Sequence, residues 1–435
     1  MQKRNNLALI LMILIIGLLN ADQNIINGML GPIEKEFHVN DGDIGLMSGL
    51  FTLIGAMISL VWGYLSDKGN RKNLFSYSIL IGQLPCLLTY FAANYSQFFI
   101  LRILTGIGVG VSFPTIFSMI GDMYDEEHRA SVVAWVTTAM GIGQIIGMVL
   151  SGYLGPTFGW RLPFLLIAIP NLVILFLFHI LVPEPERGAT EESVKDLVEH
   201  GYHYTKTIQL SDYIHLFKIR TNLYLFIQGI LGTIPWGAIP LFLVKFLNEN
   251  RGMTIEDATT TFLLFGAGNI AGTILGGIWG GQLMKRKPAW LPQFCAITTV
   301  LGALLTLVMF IFIPGKNLMA ILAVGFLASF LVSITGPNMR TMLLDTNVPE
   351  NRGAIFSIFN LTDSVGTGIG KYFAGVLSVG FGLSLAINVS TLIWIPCAIF
   401  LWICSFVFAD DIKQMRQKII TVAQEMKSKY HVDSL

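Results

Sequence analysis

Five ionisable side chains stand inside long apolar runs: Asp22, Arg102, Arg340, Asp363 and Lys371. A charge at bilayer depth costs about 2.5–3.5 kcal/mol on insertion scales, so each needs a partner or a task. Carboxylates in such surroundings exchange protons or hold cations, and guanidinium or ammonium groups hold anions. Asp22 is flanked by Asn20, Gln23, Asn24 and Asn27. At about 100° per residue, Asn20, Asn24 and Asn27 share one stripe while Asp22 faces nearly the opposite way. A helix polar on both sides belongs inside a protein, not against lipid. Two readings of Asp22 follow: a proton or cation coupling site, or a hydrogen-bonded carboxyl that locks neighbouring helices. A second stripe joins Asn360, Asp363, Thr367 and Lys371, with Lys371 about 12 Å beyond Asp363 along the helix axis. Asp363 is the other expected coupling group. Lys371 either meets an anionic headgroup or snorkels to the interface. The expected substrate cavity thus takes in Asn20, Gln23, Asn24, Asn27, Arg102, Trp236, Arg340, Asn360, Thr367 and Lys371. Trp236 sits between Pro235 and Gly237, a place where a span can break.

These residues need a membrane to work in, and the composition supplies one. Of 435 residues, 53% are hydrophobic and 13% charged, against about 25% charged in soluble proteins. A soluble enzyme or binding domain is excluded, and a net charge of +1 leaves no footprint for nucleic acid. Apolar runs of about 20 residues recur, the length a bilayer demands. They predict twelve membrane helices near 7–33, 43–65, 74–93, 97–122, 131–155, 162–182, 221–247, 256–283, 289–313, 318–345, 353–378 and 382–409. Of the 28 Lys and Arg, only Lys35, Arg161, Lys245, Arg251 and Lys316 fall in one set of loops. The positive-inside rule therefore places both termini and the 183–220 loop in the cytoplasm, in a plasma or inner membrane. The expected domains are a six-helix bundle over 1–182, the 183–220 interdomain loop, a second bundle over 221–409 and an amphipathic tail over 410–435. A short surface helix is expected near 211–217. The four Cys sit in apolar runs and the His are scattered, so no metal or cofactor is expected.

The two halves repeat. Pro114, Asp122 and Arg129 recur as Pro337, Asp345 and Arg352, each pair 223 residues apart. A repeat after six crossings keeps its orientation, which gives two like-oriented bundles able to rock around a site between them. Gly residues four apart, such as Gly143 and Gly147 or Gly272, Gly276 and Gly280, let helix backbones approach closely.

The stretch Gly63-Tyr-Leu-Ser-Asp67-Lys68-Gly-Asn-Arg71-Lys72 resembles the signature loop of the major facilitator superfamily. Arg102 with Gly106, and Gly141, Gly143, Gly147 and Gly152, are similar to further motifs of that family. Asp22, the signature wording and Glu184-Pro-Glu-Arg187-Gly188 resemble the Spinster-type branch of lysolipid transporters. The resemblance implies an all-α fold of two parallel-repeat six-helix bundles. It also implies a gate in which Asp67 accepts from the N-terminus of the span after Arg352. Gly63, Asp67, Lys68, Arg71, Asp122, Arg129, Asp345 and Arg352 make up this expected gating set. No G-x-x-x-x-G-K-[ST] motif occurs, so energy comes from ion or substrate gradients. The expected function is secondary transport, not catalysis. The substrate would be an amphiphile such as a lysophospholipid, with protons or sodium as coupling ions and a monomer in the bilayer as the working form. A small polar solute, organic anion or drug is the alternative substrate, and a receptor without transport is the alternative class.

Overall fold

With no water in the hydrocarbon to satisfy backbone groups, apolar runs of this length close their hydrogen bonds within helices. The computed structural model describes residues 2–68, 70–124, 126–184, 216–315, 317–348 and 352–417, and shows helices throughout. In the first half these are α1 (Gln2–Ile25), α2 (Leu30–Phe37), α3 (Asp41–Lys68), α4 (Arg71–Thr89), α5 (Tyr95–Met123), α6 (Glu126–Val149), α7 (Gly155–Phe158) and α8 (Leu162–Leu181). The second half has α9 (Arg220–Glu249), α10 (Ile255–Arg286), α11 (Trp290–Ile311), α12 (Leu318–Ser333), α13 (Thr335–Thr346), α14 (Arg352–Phe381), α15 (Leu383–Leu392) and α16 (Trp394–Cys404). Among the described residues, nine stretches are long and apolar enough to cross a bilayer. The other three expected spans, α4, α5 and α14, are helices of 19, 29 and 30 residues.

Several expected spans prove to be interrupted. The first, read as 7–33, ends at Ile25 in a 3₁₀ turn over Ile26–Gly28 before α2 begins. Gly28 fits there because a Cβ would collide with Ser151. The fifth span passes into a π-helical stretch, Leu150–Leu154, and then α7. The tenth breaks at Ile334 and the twelfth at Ile393. Both breaks have one cause: a proline ring clashes with the carbonyl four residues earlier. Pro337 ends α12 at Ser333, and Pro396 ends α15 at Leu392. Pro235 does not act this way, and α9 runs unbroken through Trp236.

The chain forms two compact units. The first comprises Met1–Lys206, Ala238–Leu263 and Gly368–Ala386, and so includes segments of α9, α10 and α14. Its core is one face of α1, where Ala8, Leu11, Met12, Ile15, Ile16 and Leu19 recur at three- and four-residue steps. They pack with Phe75, Ile116, Met119, Val136 and Phe178. At Gly147 a Cβ would strike the Ala21 carbonyl, which is how closely α6 lies on α1. The second unit comprises Thr207–Gly237, Leu264–Thr367 and Ile387–Leu435. There Gly272 brings α10 onto the backbone of α12 at Phe330. Phe176, Ile180, Trp135 and Ile278 lie exposed, a defect in water and a requirement against lipid.

Candidate functional site

In the first unit, α1, α4 and α5 converge on Asp22. Arg102 Nη1 donates to Asp22 Oδ1 at 2.7 Å, and the Cys86 thiol donates to the same oxygen at 3.1 Å. Asp22 is 0% exposed and Arg102 2%. The rings of Phe51 and Phe164 lie 5.1 and 5.4 Å from the Arg102 guanidinium carbon, which offsets part of its lost hydration. Asp22 Oδ2 and Arg102 Nε find no partner among the described residues. Lys371 on α14 lies partly buried in the same unit. Its Nζ donates to the Thr52 hydroxyl at 2.9 Å, it pairs with no carboxylate among the described residues, and it feels the charge of Arg102. The amides of α1 form their own ladder: Asn20 donates to the Ile16 carbonyl, Asn24 to that of Asn20, and Asn27 to the Asn24 side chain. Gln23 and Asn24 remain partly exposed.

The second unit encloses a cavity of about 260 Å³, lined by Gln228, Trp236, Asn269, Arg340, Asp363 and Trp394 together with threonine and serine hydroxyls. Asp363 faces Gly229 on α9, where a Cβ would sit 3.2 Å from Oδ1. Asp363 Oδ1 and Gln228 Oε1 are buried acceptors with no donor among the described residues. The surrounding groups are already committed. Gln228 Nε2 donates to Cys397 Sγ at 3.2 Å, Asn269 to Ser333 at 2.9 Å, and Trp394 Nε1 to the Gly232 carbonyl at 3.0 Å. Thr299 and Thr335 share a 2.9 Å hydrogen bond. Arg340 is exposed at the rim and its charge reaches Asp363. Thr367 donates to the Asp363 carbonyl, and Asn360 is exposed.

The expected residues therefore fall into two groups. Asp22, Arg102 and Lys371 belong to one unit, and Trp236, Arg340, Asp363 and Thr367 to the other. Gln228 and Asn269 do not stand out in the sequence, although an amide within an apolar run is the signal that marks Asn20 and Asn24. Of the gating set, the side chains at 63, 67, 68, 122, 129 and 352 lie outside the described residues. Asp345 is partly buried near the end of α13. Arg71 begins α4, and Glu184 caps it: its carboxylate accepts from the backbone N–H of Arg71 at 3.0 Å and of Lys72 at 2.7 Å. The expected helix near 211–217 lies mostly outside the described residues. The tail is helical over 408–417, with Asp411 accepting from Thr221 and Ile412 buried, so its first turn packs on protein.

The Major Facilitator Superfamily profile matches residues 12–370. The chain is 24% identical to the cis,cis-muconate transport protein of Acinetobacter baylyi, over 87% of this chain and 89% of that one. It is 26% identical to protein spinster homolog 3 of Mus musculus, over 81% and 71%. Its fold matches that of a bacterial homolog of the human lysosomal transporter Spinster, solved in an inward-facing, unoccupied conformation, with a TM-score of 0.84 at 19% identity over 94% and 99% of the two chains. The chain belongs to the major facilitator superfamily of membrane transporters, and Spinster-type proteins are among those it resembles in both sequence and fold.

Proposed function

We propose that this transporter works by alternating access and carries an anionic amphiphile of the lysophospholipid kind, coupled to protons or another cation. The observation that carries this reading is the polar cavity lined by Asp363 and Gln228, each of which keeps a buried acceptor oxygen that no donor among the described residues meets. A buried acceptor without a donor costs about 1–3 kcal/mol, so the site is built for something that arrives: water, a proton or a substrate hydroxyl or amine. Arg340 at the cavity rim suits an anionic headgroup. Asp22 couples, in this reading, when a proton takes the place of Arg102 on its carboxylate.

A second substrate class has its own support. A cavity of about 260 Å³ suits a compact solute, and one relative is named for the dicarboxylate muconate. A thermal-shift screen of the purified protein against lysophospholipids, dicarboxylates and sugars decides between them. Stabilisation by lysophospholipids alone, lost in Asp363→Asn or Arg340→Met, is the expected result. Stabilisation by dicarboxylates alone moves the protein to the second class, and a response to none contradicts the site.

A further inference from the structure

A third cluster of charge lies in the first unit, at the loop ends that hold few basic residues. Lys245 on α9 donates to Glu34 Oε2 on α2 and, at 2.7 Å, to Asp41 Oδ1 at the start of α3. Ser378 on α14 donates to Asp41 Oδ2 at 2.5 Å. Four helices thus meet on three charges and a hydroxyl, and each of the four side chains is about nine-tenths buried. The arithmetic of charge is unbalanced, with two carboxylates against one ammonium. Glu34 Oε1 is buried with no donor among the described residues.

The other charged groups on the packed elements do not repair the balance. Glu249, half exposed, lies 3.9 Å from Lys245 and adds negative charge. Glu36 is held by Arg161 and Trp160, and Lys35 and His38 are exposed. Asp43 closes a reciprocal cap with Asn40. Arg251 lies over the Phe246 ring, Lys371 donates to Thr52, and Glu256 and Asp257 on α10 make no ion pair among the described residues.

We propose that Glu34, Asp41 and Lys245 form a proton-binding latch: one proton on the carboxylate pair makes the cluster neutral and holds α2, α3, α9 and α14 together, and its loss leaves a buried negative charge that releases them. The ligand is a proton, taken up as this end closes and discharged as it opens. Burial, reinforced by the neighbouring Asp41 carboxylate and opposed by Lys245, pushes Glu34 in the loop helix α2 up to about 8. In the open form the same carboxyl, in water, returns to its ordinary range near 4.3. The latched form therefore keeps a proton that the open form lacks between roughly those two values. The latched-to-open ratio falls about tenfold per pH unit across that window and is flat below and above it. The latch does not depend on the substrate or on Asp363, so it stands or falls apart from the proposed function.

The test is a distance measurement by double electron–electron resonance on the full chain in nanodiscs, with spin labels on exposed positions Lys35 and Asn250 and no substrate present. The wild type should lengthen its distance distribution as pH rises from 6 to 9.5. Glu34→Gln, an isostere that cannot ionise, should stay short at every pH. Asp41→Asn, which leaves one carboxylate for one ammonium, should also lose the transition. A wild type without a pH response overturns the latch. So does a transition surviving in either variant.

Discussion

Arg102 and Asp22 are joined by a hydrogen bond of 2.7 Å with almost no exposure on either side. Removing one partner strands the other, a loss of about 3–5 kcal/mol for a buried pair. Arg102→Met should therefore lower the melting temperature in detergent sharply, and adding Asp22→Asn should restore part of it. If the single variant melts like the wild type, the pair is not fully desolvated. Gln228 makes the opposite case. Its Oε1 has no donor among the described residues and its Nε2 only a thiol, so Gln228→Leu should leave the melting temperature within about a degree. Substrate affinity should fall about tenfold, the worth of roughly one hydrogen bond near 1.4 kcal/mol. A titration of substrate against both proteins checks it. The charged residues themselves are legible in the sequence, because an ionisable group in an apolar run announces itself. Their partners are not: Arg102 lies 80 positions from Asp22, and Lys245 over 200 from Glu34 and Asp41, distances over which no local pattern operates. Glu34 and Asp41 give no such signal because, in a loop, a carboxylate looks solvated.

Helix ends show where local chemistry decides. The α4 N-terminus is capped twice, by the Asn70 side chain on the Asn73 N–H and by Glu184 on the first two N–H groups. An anion at a helix N-terminus contributes about 0.3–1 kcal/mol. Glu184→Gln should therefore lower thermal stability by a degree or two and leave transport largely intact, as paired melting and uptake assays will show. Gly147→Val should act more strongly. A side chain there meets the Ala21 carbonyl of α1, and overpacking costs about 1–3 kcal/mol, so its folded yield and melting temperature should both drop. Span positions are readable from hydropathy alone, since each expected run is helical over most of its described length. The interruptions are less so. Pro337 and Pro396 end the helix before them at the fourth residue upstream, whereas Pro85, Pro170 and Pro235 leave theirs continuous. The proline is visible in sequence, and what the neighbouring helix allows is not.

For the whole molecule, composition and charge distribution by themselves mark a membrane protein, and the superfamily profile across residues 12–370 agrees. The repeat of Pro114, Asp122 and Arg129 at Pro337, Asp345 and Arg352 points to two like-oriented halves. Periodicity does not say which half carries the more open polar site. The first unit holds a tightly paired cluster around Asp22, and the second a cavity around Asp363 whose lining includes acceptors that stand unmet among the described residues. In the proposed function the second is the place of the moving proton or substrate, with Asp363 as its coupling group. The most direct test is uptake into proteoliposomes, comparing wild type with Asp363→Asn under imposed pH and sodium gradients. In the proposed coupling, the variant still exchanges substrate across the bilayer but no longer accumulates it against a gradient. Accumulation equal to wild type under every gradient would contradict it.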